Sequence, residues 1–483
     1  MVVGLTHSRG VAGVMPGENV CSLEGVSGKT QRVRRRMPYV EMENMTLTKL
    51  ALISERARKE PRYKFTCLAH LLNEGFLTEC YYSLGRNRAS GIDGISWKEY
   101  GESLPENIKG LVARMKTKRY KPQPVKRVYI PKDRNQKRPL GLPALEDKIV
   151  QKGITRILES IYEADFLDSS YGFRPGRNCH DALKAVDKTV MSKPVNHVIE
   201  ADIKGYFDNI SHEWMMKSLG VRINDPSLLL LIRRFLKAGY IEDNRVVESE
   251  KGTPQGGNLS PVLSNIFLHY VLDLWFEKRL KPQVKGACYL MRYADDFICM
   301  AQYADDAVSI EQALRERFSK FNLELHPKKT RTISFGRYEK EKAKRQGRKP
   351  NTFDFLGFTH YCGEGRNSGR FTVGRKTSSK KFRIKCREMN LWLRGTRNSG
   401  KIKEWWPILQ AKLRGHYQYY GINGNTREMK KYYLLTVKMT LKWLNKRSQR
   451  KSFDWKRFGE YLKRYPLPKP RVVHHLYRLS PVV

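Results

Sequence analysis

The stretch that decides the fold is Tyr289-Leu-Met-Arg-Tyr-Ala-Asp-Asp-Phe-Ile-Cys-Met300, in which two adjacent aspartates interrupt an apolar sequence. The apolar and aromatic residues on either side predict two strands, and the short polar interruption predicts a tight turn between them. Two neighbouring carboxylates at such a turn repel each other and lie close to buried strands, which is costly unless a cation compensates their charge. Asp295 and Asp296 are therefore candidate metal ligands.

A third carboxylate ends another short apolar segment, Val198-Ile-Glu-Ala-Asp202, which is typical of a strand. Mg²⁺ prefers oxygen ligands and keeps phosphate oxygens in its coordination shell. Two such ions about 3.5–4 Å apart activate an attacking hydroxyl and stabilise a leaving pyrophosphate. The three carboxylates of Asp202, Asp295 and Asp296 therefore predict a two-metal site for phosphoryl chemistry.

The motif Tyr-Ala-Asp-Asp occurs a second time, at Tyr303–Asp306. No strand pattern follows this copy, because residues 307–314 have helical periodicity. Asp305 and Asp306 suit the first turn of a helix, where carboxylates are favoured by capping and by the helix dipole. We therefore predict that the second copy is structural.

Composition narrows the classes of partner. The chain of 483 residues carries 92 Lys and Arg against 48 Asp and Glu, a net charge of +44, which favours a polyanionic partner such as nucleic acid. It has no apolar run of about 18 residues and no hydrophobic signal core, so neither a membrane span nor secretion is expected. The eight cysteines show no CxxC spacing, which is typical of reduced cytosolic thiols and not of zinc fingers.

The pattern along the chain alternates strands and helices and then becomes helical. It predicts an antiparallel sheet backed by helices, followed by a helical, aromatic and basic region. The predicted segments are a strand pair at 125–145, a helix at 145–164, a strand at 198–202, a helix from Asn258-Leu-Ser-Pro261, a strand at 353–358, and helices that carry apolar faces after residue 400.

A series of motifs, in chain order, resembles those of group II intron reverse transcriptases, also called maturases. The blocks of the polymerase series are Ile130-Pro-Lys-Asp133, Lys137-Arg-Pro-Leu-Gly-Leu-Pro143, Tyr171-Gly-Phe-Arg-Pro-Gly-Arg177, Ala201-Asp-Ile-Lys-Gly-Tyr-Phe-Asp-Asn-Ile210, Gly252-Thr-Pro-Gln-Gly-Gly-Asn-Leu-Ser-Pro261, Arg292-Tyr-Ala-Asp-Asp296, Leu325-His-Pro-Lys-Lys-Thr330 and Phe355-Leu-Gly-Phe358. Two later blocks, Leu413-Arg-Gly-His-Tyr-Gln-Tyr-Tyr-Gly421 and Lys442-Trp-Leu-Asn-Lys-Arg447, resemble the maturase thumb. The resemblance extends from about residue 65 to 475.

The resemblance implies an α+β fold of the right-hand polymerase type, with fingers and a palm built on an antiparallel sheet backed by helices, followed by an α-helical thumb or maturase domain. The expected divisions are an N-terminal tail that is partly disordered (1–62), a helical extension of the fingers (63–125), the fingers and palm (126–362), the helical thumb or maturase (X) domain (363–450) and a short C-terminal nucleic-acid-binding segment (451–483).

The resemblance also assigns roles at the site. Asp202, Asp295 and Asp296 match the metal ligands, which the backbone carbonyl of Ile203 is expected to join. Asp202 is followed five residues later by Phe207, which matches the steric gate against a ribose 2′-hydroxyl.

The remaining matches concern the nucleotide. Lys132 and Arg138 match finger residues that contact the incoming triphosphate, and Gln255, which lies among glycines, matches a residue placed against the nucleotide and the template. Lys329 matches a lysine that assists departure of pyrophosphate, although neighbouring Lys328 competes for that role. Residue chemistry alone leaves Lys132 and Arg138 open as solvated strand charges, and it leaves Phe207 open as ordinary core.

The implied function is RNA-directed DNA polymerisation with two Mg²⁺ ions and dNTP substrates. The enzyme would copy an intron RNA during target-primed retrohoming and assist splicing as a maturase. Implied partners are the group II intron RNA, an RNA template with a DNA primer, and target DNA, with no membrane; the oligomeric state is open between monomer and dimer. The basic segment 375–387 is predicted to contact RNA. The expected location is the bacterial cytoplasm, in association with the nucleoid or a ribonucleoprotein.

Two further interpretations remain. Retron, diversity-generating and CRISPR-associated reverse transcriptases share the polymerase core, and the thumb-like blocks argue against these. A non-catalytic RNA-binding splicing factor is the alternative from another class, and the intact acidic set argues against it. The C-terminus carries no paired zinc-type cysteines of an HNH endonuclease, so the endonuclease-lacking type is expected.

Overall fold

The computed structural model describes residues 37–87, 89–131, 137–243, 245–253, 256–365, 369–447 and 453–476, with the backbone alone at 37–46, 131 and 137. The first 36 residues of the predicted tail lie outside the described residues, as do Lys132 and Gln255. None of the helices in the described ranges is long and apolar enough to cross a membrane.

Four helices precede the first strand: α1 (Met37–Lys59), α2 (Glu74–Ser83), α3 (Trp97–Glu102) and α4 (Leu104–Lys116), with a short 3₁₀ turn at Ala69–Leu71. α1 packs against α5 (Leu145–Tyr162), where Ser54 donates a hydrogen bond of 2.9 Å to the carbonyl of Ser160. Leu50 and Ala57 of α1 are buried in this contact. The prediction of a tail over 1–62 is therefore wrong for 37–59, because the apolar residues of this stretch form a helix face that the core covers.

The first sheet lies in the region that is expected to form the fingers, and its strand order is β2-β1-β4-β5. Its strands are β1 (Val125–Pro131), β2 (Lys137–Leu142), β4 (Tyr240–Glu242) and β5 (Arg245–Val247). The antiparallel pairing of β1 with β2 confirms the predicted strand pair, and α5 confirms the predicted helix after it. β4 and β5 were not predicted, because three residues are too few to show an alternating pattern.

The second sheet lies in the region that is expected to form the palm, and we call it the palm sheet. Its strand order is β6-β7-β3-β8, and every neighbouring pair is antiparallel. Its strands are β3 (His197–Ala201), β6 (Cys288–Tyr293), β7 (Asp296–Ala301) and β8 (Arg331–Ser334). β3 and the β6–β7 hairpin confirm the strands predicted around the two acidic motifs.

Helices cover both faces of this sheet. The helices of this region are α6 (Cys179–Ser192), α7 (Tyr206–Asn209), α8 (His212–Leu219), α9 (Pro226–Lys237), α10 (Ser260–Leu268), α11 (Ala304–Ser319) and α12 (Glu339–Arg345), with π-helical turns at His269–Asp273 and Phe276–Leu280 and a 3₁₀ turn at Lys281–Gln283. Of these, α11 packs against β3, β7 and β8, and α6 packs against β6. Successive side chains of β7 enter two different hydrophobic cores: Phe297 and Cys299 join the core that α5 and α10 share, whereas Ile298 and Met300 join the core that contains the C-terminal helices. The central strand is thus buried on both faces.

A third sheet, with the order β11-β10-β9, follows. It consists of β9 (Thr352–Phe355), β10 (Phe358–Glu364) and β11 (Phe371–Thr377). β10 pairs with β11 from Phe358 opposite Thr377 to Glu364 opposite Phe371. The domain division expected after residue 362 therefore falls inside a hairpin, whose two strands form one hydrogen-bonded unit.

The prediction that the basic segment 375–387 contacts RNA is wrong for Arg375, which lies in β11. Its side chain is only 1% exposed, and its guanidinium lies 3.0 Å from the carboxylate of Asp187 in α6. Arg375 therefore joins the third sheet to α6, and its buried side chain cannot contact an RNA bound at the protein surface. The basic residues at 380, 381, 383 and 387 are exposed and follow on the next helix.

The chain ends in the helices α13 (Ser379–Thr396), α14 (Ile402–Tyr420), α15 (Thr426–Leu444) and α16 (Trp455–Arg464). The face predicted for α14 is buried as expected; its residues are Leu409, Leu413, Tyr417 and Tyr420. After α16, the backbone N–H groups of Val473 and His474 donate to the carbonyl of Gly421 at 2.6 and 2.9 Å. The last described residues thus pack against the end of α14.

Candidate active site

Antiparallel pairing brings the predicted carboxylates to one edge of the palm sheet. Ala201, the last residue of β3, pairs with Phe297, so the next residue, Asp202, lies opposite Asp296. Tyr293 pairs with Asp296, which leaves Ala294 and Asp295 as the two-residue turn of the hairpin. Asp202, Asp295 and Asp296 therefore meet at the strand ends, as the sequence predicts.

The three carboxylates are coupled electrostatically. Burial, together with the negative charges of Asp295 and Asp202, raises the pKa of Asp296 to about 6. The side chain of Asp296 is nevertheless exposed to solvent. It is therefore surrounded by the walls of an open cleft and is not enclosed in the hydrophobic core. A cluster of negative charge that is held in a cleft and remains accessible is relieved by a divalent cation, so the residues present fit such an ion.

Lys329 lies at the same edge. Its ammonium is 2.5 Å from the carboxylate of Asp202. Backbone contacts bring it there, because Ile203 pairs with Leu325 and the N–H of His326 donates to the carbonyl of Asp202 at 2.7 Å. Within the described part of the chain, no three acidic, histidine or cysteine side chains already form a metal cage. The positive charge of Lys329 partly neutralises the three carboxylates. Without it, these carboxylates would repel one another more strongly.

Phe207 lies on a cleft of about 640 Å³, whose other lining residues come mainly from the sheet β2-β1-β4-β5 and from the loop 248–253. Pro139 and Gly141 of β2 line the opposite wall of this cleft, and β2 also carries the exposed Arg138. The carbonyl of Phe207 accepts a 2.8 Å hydrogen bond from the N–H of Thr253, which fixes the short helix α7. Phe207 and β2 thus line the same cleft. The role of Ile203 as a ligand stays a prediction.

Gln255 itself is not described, but its neighbour Gly256 is. Gly256 has φ +113°, and a Cβ at this position would lie 2.6 Å from the carbonyl oxygen of Gly141. Only glycine permits both the conformation and this approach to β2. The residue that follows Gln255 therefore lies directly against β2.

The β6–β7 hairpin turns at an unusual residue. Ala294 has φ +57°, a conformation that turns of this kind normally give to glycine and that costs a residue with a side chain about 1 kcal/mol. Gly172 packs against it so closely that an added Cβ would lie 2.4 Å from the nitrogen of Ala294. Sequence patterns did not identify Gly172 as part of the site, although it lies in the predicted block 171–177.

The second Tyr-Ala-Asp-Asp copy is structural, as its context predicts. Asp305 and Asp306 lie in the first turn of α11. Asp305 is exposed, whereas Asp306 is buried and accepts hydrogen bonds from the N–H groups of Lys285 (3.0 Å) and Gly286 (2.7 Å). Asp306 thus ties the start of α11 to the loop that enters β6.

Comparison with known proteins agrees with this geometry. Residues 130–360 match the family described as reverse transcriptase (RNA-dependent DNA polymerase). Over 235 residues the chain is 40% identical to the group II intron-encoded protein LtrA of Lactococcus lactis subsp. cremoris. Residues 130–360 form a reverse transcriptase domain, similar in sequence to that of a group II intron-encoded protein. The fold is the right-hand polymerase fold of the α+β class that the motifs predict.

Two other relatives match this reverse transcriptase domain. The protein YkfC of Escherichia coli (strain K12) is 34% identical over 254 residues, which are 47% of this chain and 66% of YkfC. An uncharacterised 91 kDa protein in the cob intron of Schizosaccharomyces pombe is 35% identical over 234 residues, 48% of this chain and 29% of that protein. The LtrA match spans 47% of this chain and 39% of LtrA, so the chain covers about two fifths of the length of that relative.

The contact between Gly172 and the hairpin turn gives a test. We expect Gly172→Ala to lower primer extension about tenfold or more, because the new methyl group must displace the turn that carries Asp295. The matched control is Gly110→Ala in α4, where an added Cβ meets nothing within 4 Å. Equal activities of the two variants in a primer-extension assay would show that the close approach of Gly172 has no catalytic role.

Proposed function

We propose that this protein is an RNA-directed DNA polymerase encoded by a group II intron, which copies intron RNA into DNA during target-primed retrohoming. The observation that carries the proposal is the position of Asp202 opposite Asp296 at the edge of the palm sheet, with Asp295 in the adjoining turn, inside a reverse transcriptase domain. Carboxylates on two adjacent strands are what nucleotidyl transfer with two metal ions requires.

Asp202, Asp295 and Asp296 would hold Mg²⁺, with the carbonyl of Ile203 as a further oxygen ligand. When bound, these ions supply Lewis-acid activation of the primer hydroxyl and charge stabilisation of the leaving pyrophosphate. The residues of the chain position the reactants. The paired strands fix Asp202 relative to Asp296, and the lysine at position 329 keeps positive charge beside the carboxylates, where it can neutralise or protonate the departing pyrophosphate.

The cleft between Phe207 and β2 would receive the incoming dNTP over the template. Arg138, together with Lys132 from the same hairpin, would bind the triphosphate, and Gln255 would lie against the nucleotide and template. Phe207 would lie beneath the sugar, where its ring leaves no room for a 2′-hydroxyl. The support for this arrangement is that Phe207 and β2 line one cleft.

The C-terminal helices α13 to α16 would form the thumb and the maturase surface. α13 carries Arg383, Arg387 and Arg394 exposed to solvent, and such side chains bind the phosphates of a folded RNA through shape and charge. Through this surface the protein would stabilise the intron RNA during splicing. It would act in the cytoplasm as a ribonucleoprotein, with target DNA as the final acceptor.

The deciding experiment is incorporation of dTTP on poly(rA)/oligo(dT) with Mg²⁺, using the purified full chain and the Asp202→Asn variant as its control. We expect incorporation by the native chain and none by the variant. A native chain that binds intron RNA but incorporates nothing would overturn the polymerase proposal in favour of a non-catalytic splicing factor.

Phe207 provides a separate test of the cleft. We expect Phe207→Ala to raise incorporation of rNTPs relative to dNTPs by roughly tenfold or more, because removal of the ring leaves space for the 2′-hydroxyl. The control is Phe321→Ala, a phenylalanine that is likewise partly buried and packs on Trp214 in the same core. Sugar selectivity is measured by single-nucleotide extension. If it is unchanged in Phe207→Ala, Phe207 is not the steric gate.

A further inference from the structure

A completely buried guanidinium lies directly behind the catalytic turn. Arg292, in β6, is 0% exposed and uses its side-chain nitrogens in five hydrogen bonds. Two of these go to the carboxylate of Asp273, at 2.7 and 2.5 Å. One goes to the carbonyl of Ala294, the strained residue of the turn, at 3.1 Å. The side chain therefore connects the backbone of the turn to a buried anion.

The other partners of Arg292 anchor it to separate parts of the fold. Nη1 donates to the side-chain oxygen of Asn265 in α10 at 2.9 Å, and Nη2 donates to the hydroxyl of Ser170 at 2.7 Å. Ser170, Asn265 and Asp273 are each at most 1% exposed. Asn265 also donates to the carbonyl of Gly172, the residue packed against the turn, at 2.7 Å. The network thus supports the turn both through Ala294 and through Gly172.

A planar guanidinium with two-point contact to a carboxylate defines orientation as well as position. The turn needs such support, because Ala294 adopts φ +57° without the freedom of glycine. We infer that Arg292 and Asp273 form a positioning pair, which holds the Ala294 turn so that the carboxylates of Asp295 and Asp296 point to the metal site. This inference rests on the proposed polymerase function.

A buried ion pair can also be purely structural, and the chain offers a matched example. Arg375 and Asp187 form another buried arginine–aspartate pair, 1% and 5% exposed, beside the same palm sheet. This second pair joins β11 to α6. Lysine at either position keeps the charge but loses the planar guanidinium, and at position 292 it also loses the two-point contact with Asp273.

The experiment compares Arg292→Lys with Arg375→Lys in the full chain. Thermal unfolding gives Tm, Mn²⁺ binding is followed by electron paramagnetic resonance, and dTTP incorporation on poly(rA)/oligo(dT) gives kcat, KM and the Mg²⁺ concentration for half-maximal rate. We expect both variants to lose Tm. Only Arg292→Lys should lower kcat by about tenfold, weaken Mn²⁺ binding and raise the Mg²⁺ requirement at least about threefold, with little change in the KM for dTTP.

A rescue variant separates positioning from stability. In the Arg292→Lys background, Ala294→Gly should recover part of the lost kcat and Mn²⁺ affinity, because glycine adopts the turn conformation without support. If Arg292→Lys does not fold, Ser170→Ala, which removes one hydrogen bond and leaves the ion pair, should raise the Mg²⁺ requirement by about twofold.

The inference is overturned if the two lysine variants differ only in Tm, if Ala294→Gly recovers nothing, or if Ser170→Ala leaves metal affinity unchanged. A native chain with no incorporation at all would instead refute the proposed function, and Mn²⁺ binding would still report on the turn.

Discussion

Asp295→Ala abolishes template-directed DNA synthesis, whereas Asp305→Ala leaves most of it. This is the expected outcome of changing the third residue in each of the two identical Tyr-Ala-Asp-Asp motifs. Asp295 lies in the turn beside Asp202 and Asp296, and loss of a metal ligand removes several kcal/mol of transition-state stabilisation, about 10³-fold in rate. Asp305 is an exposed residue in the first turn of a helix, where a carboxylate contributes well under 1 kcal/mol.

The measurement is primer extension on an RNA template at saturating Mg²⁺ and dNTP. Thermal unfolding of each variant shows whether a lost activity reflects the site or the fold. Asp306→Ala belongs in the same series, because its loss leaves two backbone N–H groups without their acceptor and should lower Tm more than activity. Synthesis that depends on Asp305 and not on Asp295 would reverse the assignment of the two motifs.

The affinity for structured RNA should fall steeply with salt. A net charge of +44 predicts many phosphate contacts, and neutralising six to ten phosphates implies a loss of roughly 10³-fold or more between 50 and 200 mM salt. We expect the triple variant Arg383→Gln, Arg387→Gln and Arg394→Gln of α13 to reduce the slope of log affinity against log salt by about two to three. Filter binding or fluorescence anisotropy with a folded RNA measures both quantities.

A control for charge alone replaces three lysines whose charges are already partly compensated. Lys59, Lys217 and Lys281 each form an ion pair with a glutamate one helical turn earlier, at 2.6, 2.6 and 2.5 Å. Glutamine at these positions removes as much positive charge as the α13 variant but should change the salt slope little. Equal changes in the two triple variants would show that net charge, and not the surface of α13, determines RNA binding.

Local patterns predicted three of the four strands of the palm sheet, β3, β6 and β7, and distinguished the two acidic motifs. The apolar segments around Asp202 and Asp296 have the right length and composition, and the residues after Asp306 have helical periodicity, so each element is encoded within a few neighbouring residues. The resemblance to a known family then supplied the pairing of distant elements. Three carboxylates in one place could not have been deduced from periodicity alone.

The support behind the catalytic turn could not be predicted, because its members are far apart in the chain. Arg292 reaches Ser170 across 122 positions, and nothing in the local sequence of either residue indicates the other. The one available signal was the presence of Asn265 and Asp273 within the mostly apolar run 262–276, since buried polar groups need partners. In the same way, the burial of Arg375 contradicted its position in a basic run, because only the tertiary fold places Asp187 beside it.

The burial of β7 on both faces has a consequence for the order in which the protein matures. Ile298 and Met300 are covered by a core that includes Leu409, Leu413 and Met429, more than a hundred residues later. A nascent chain that has emerged only as far as β11 carries all three candidate metal ligands, yet the core on one face of β7 still lacks its residues from the C-terminal helices. We expect translation that stops at β11 to leave this core incomplete, so that the product is prone to aggregation and is not a shorter polymerase.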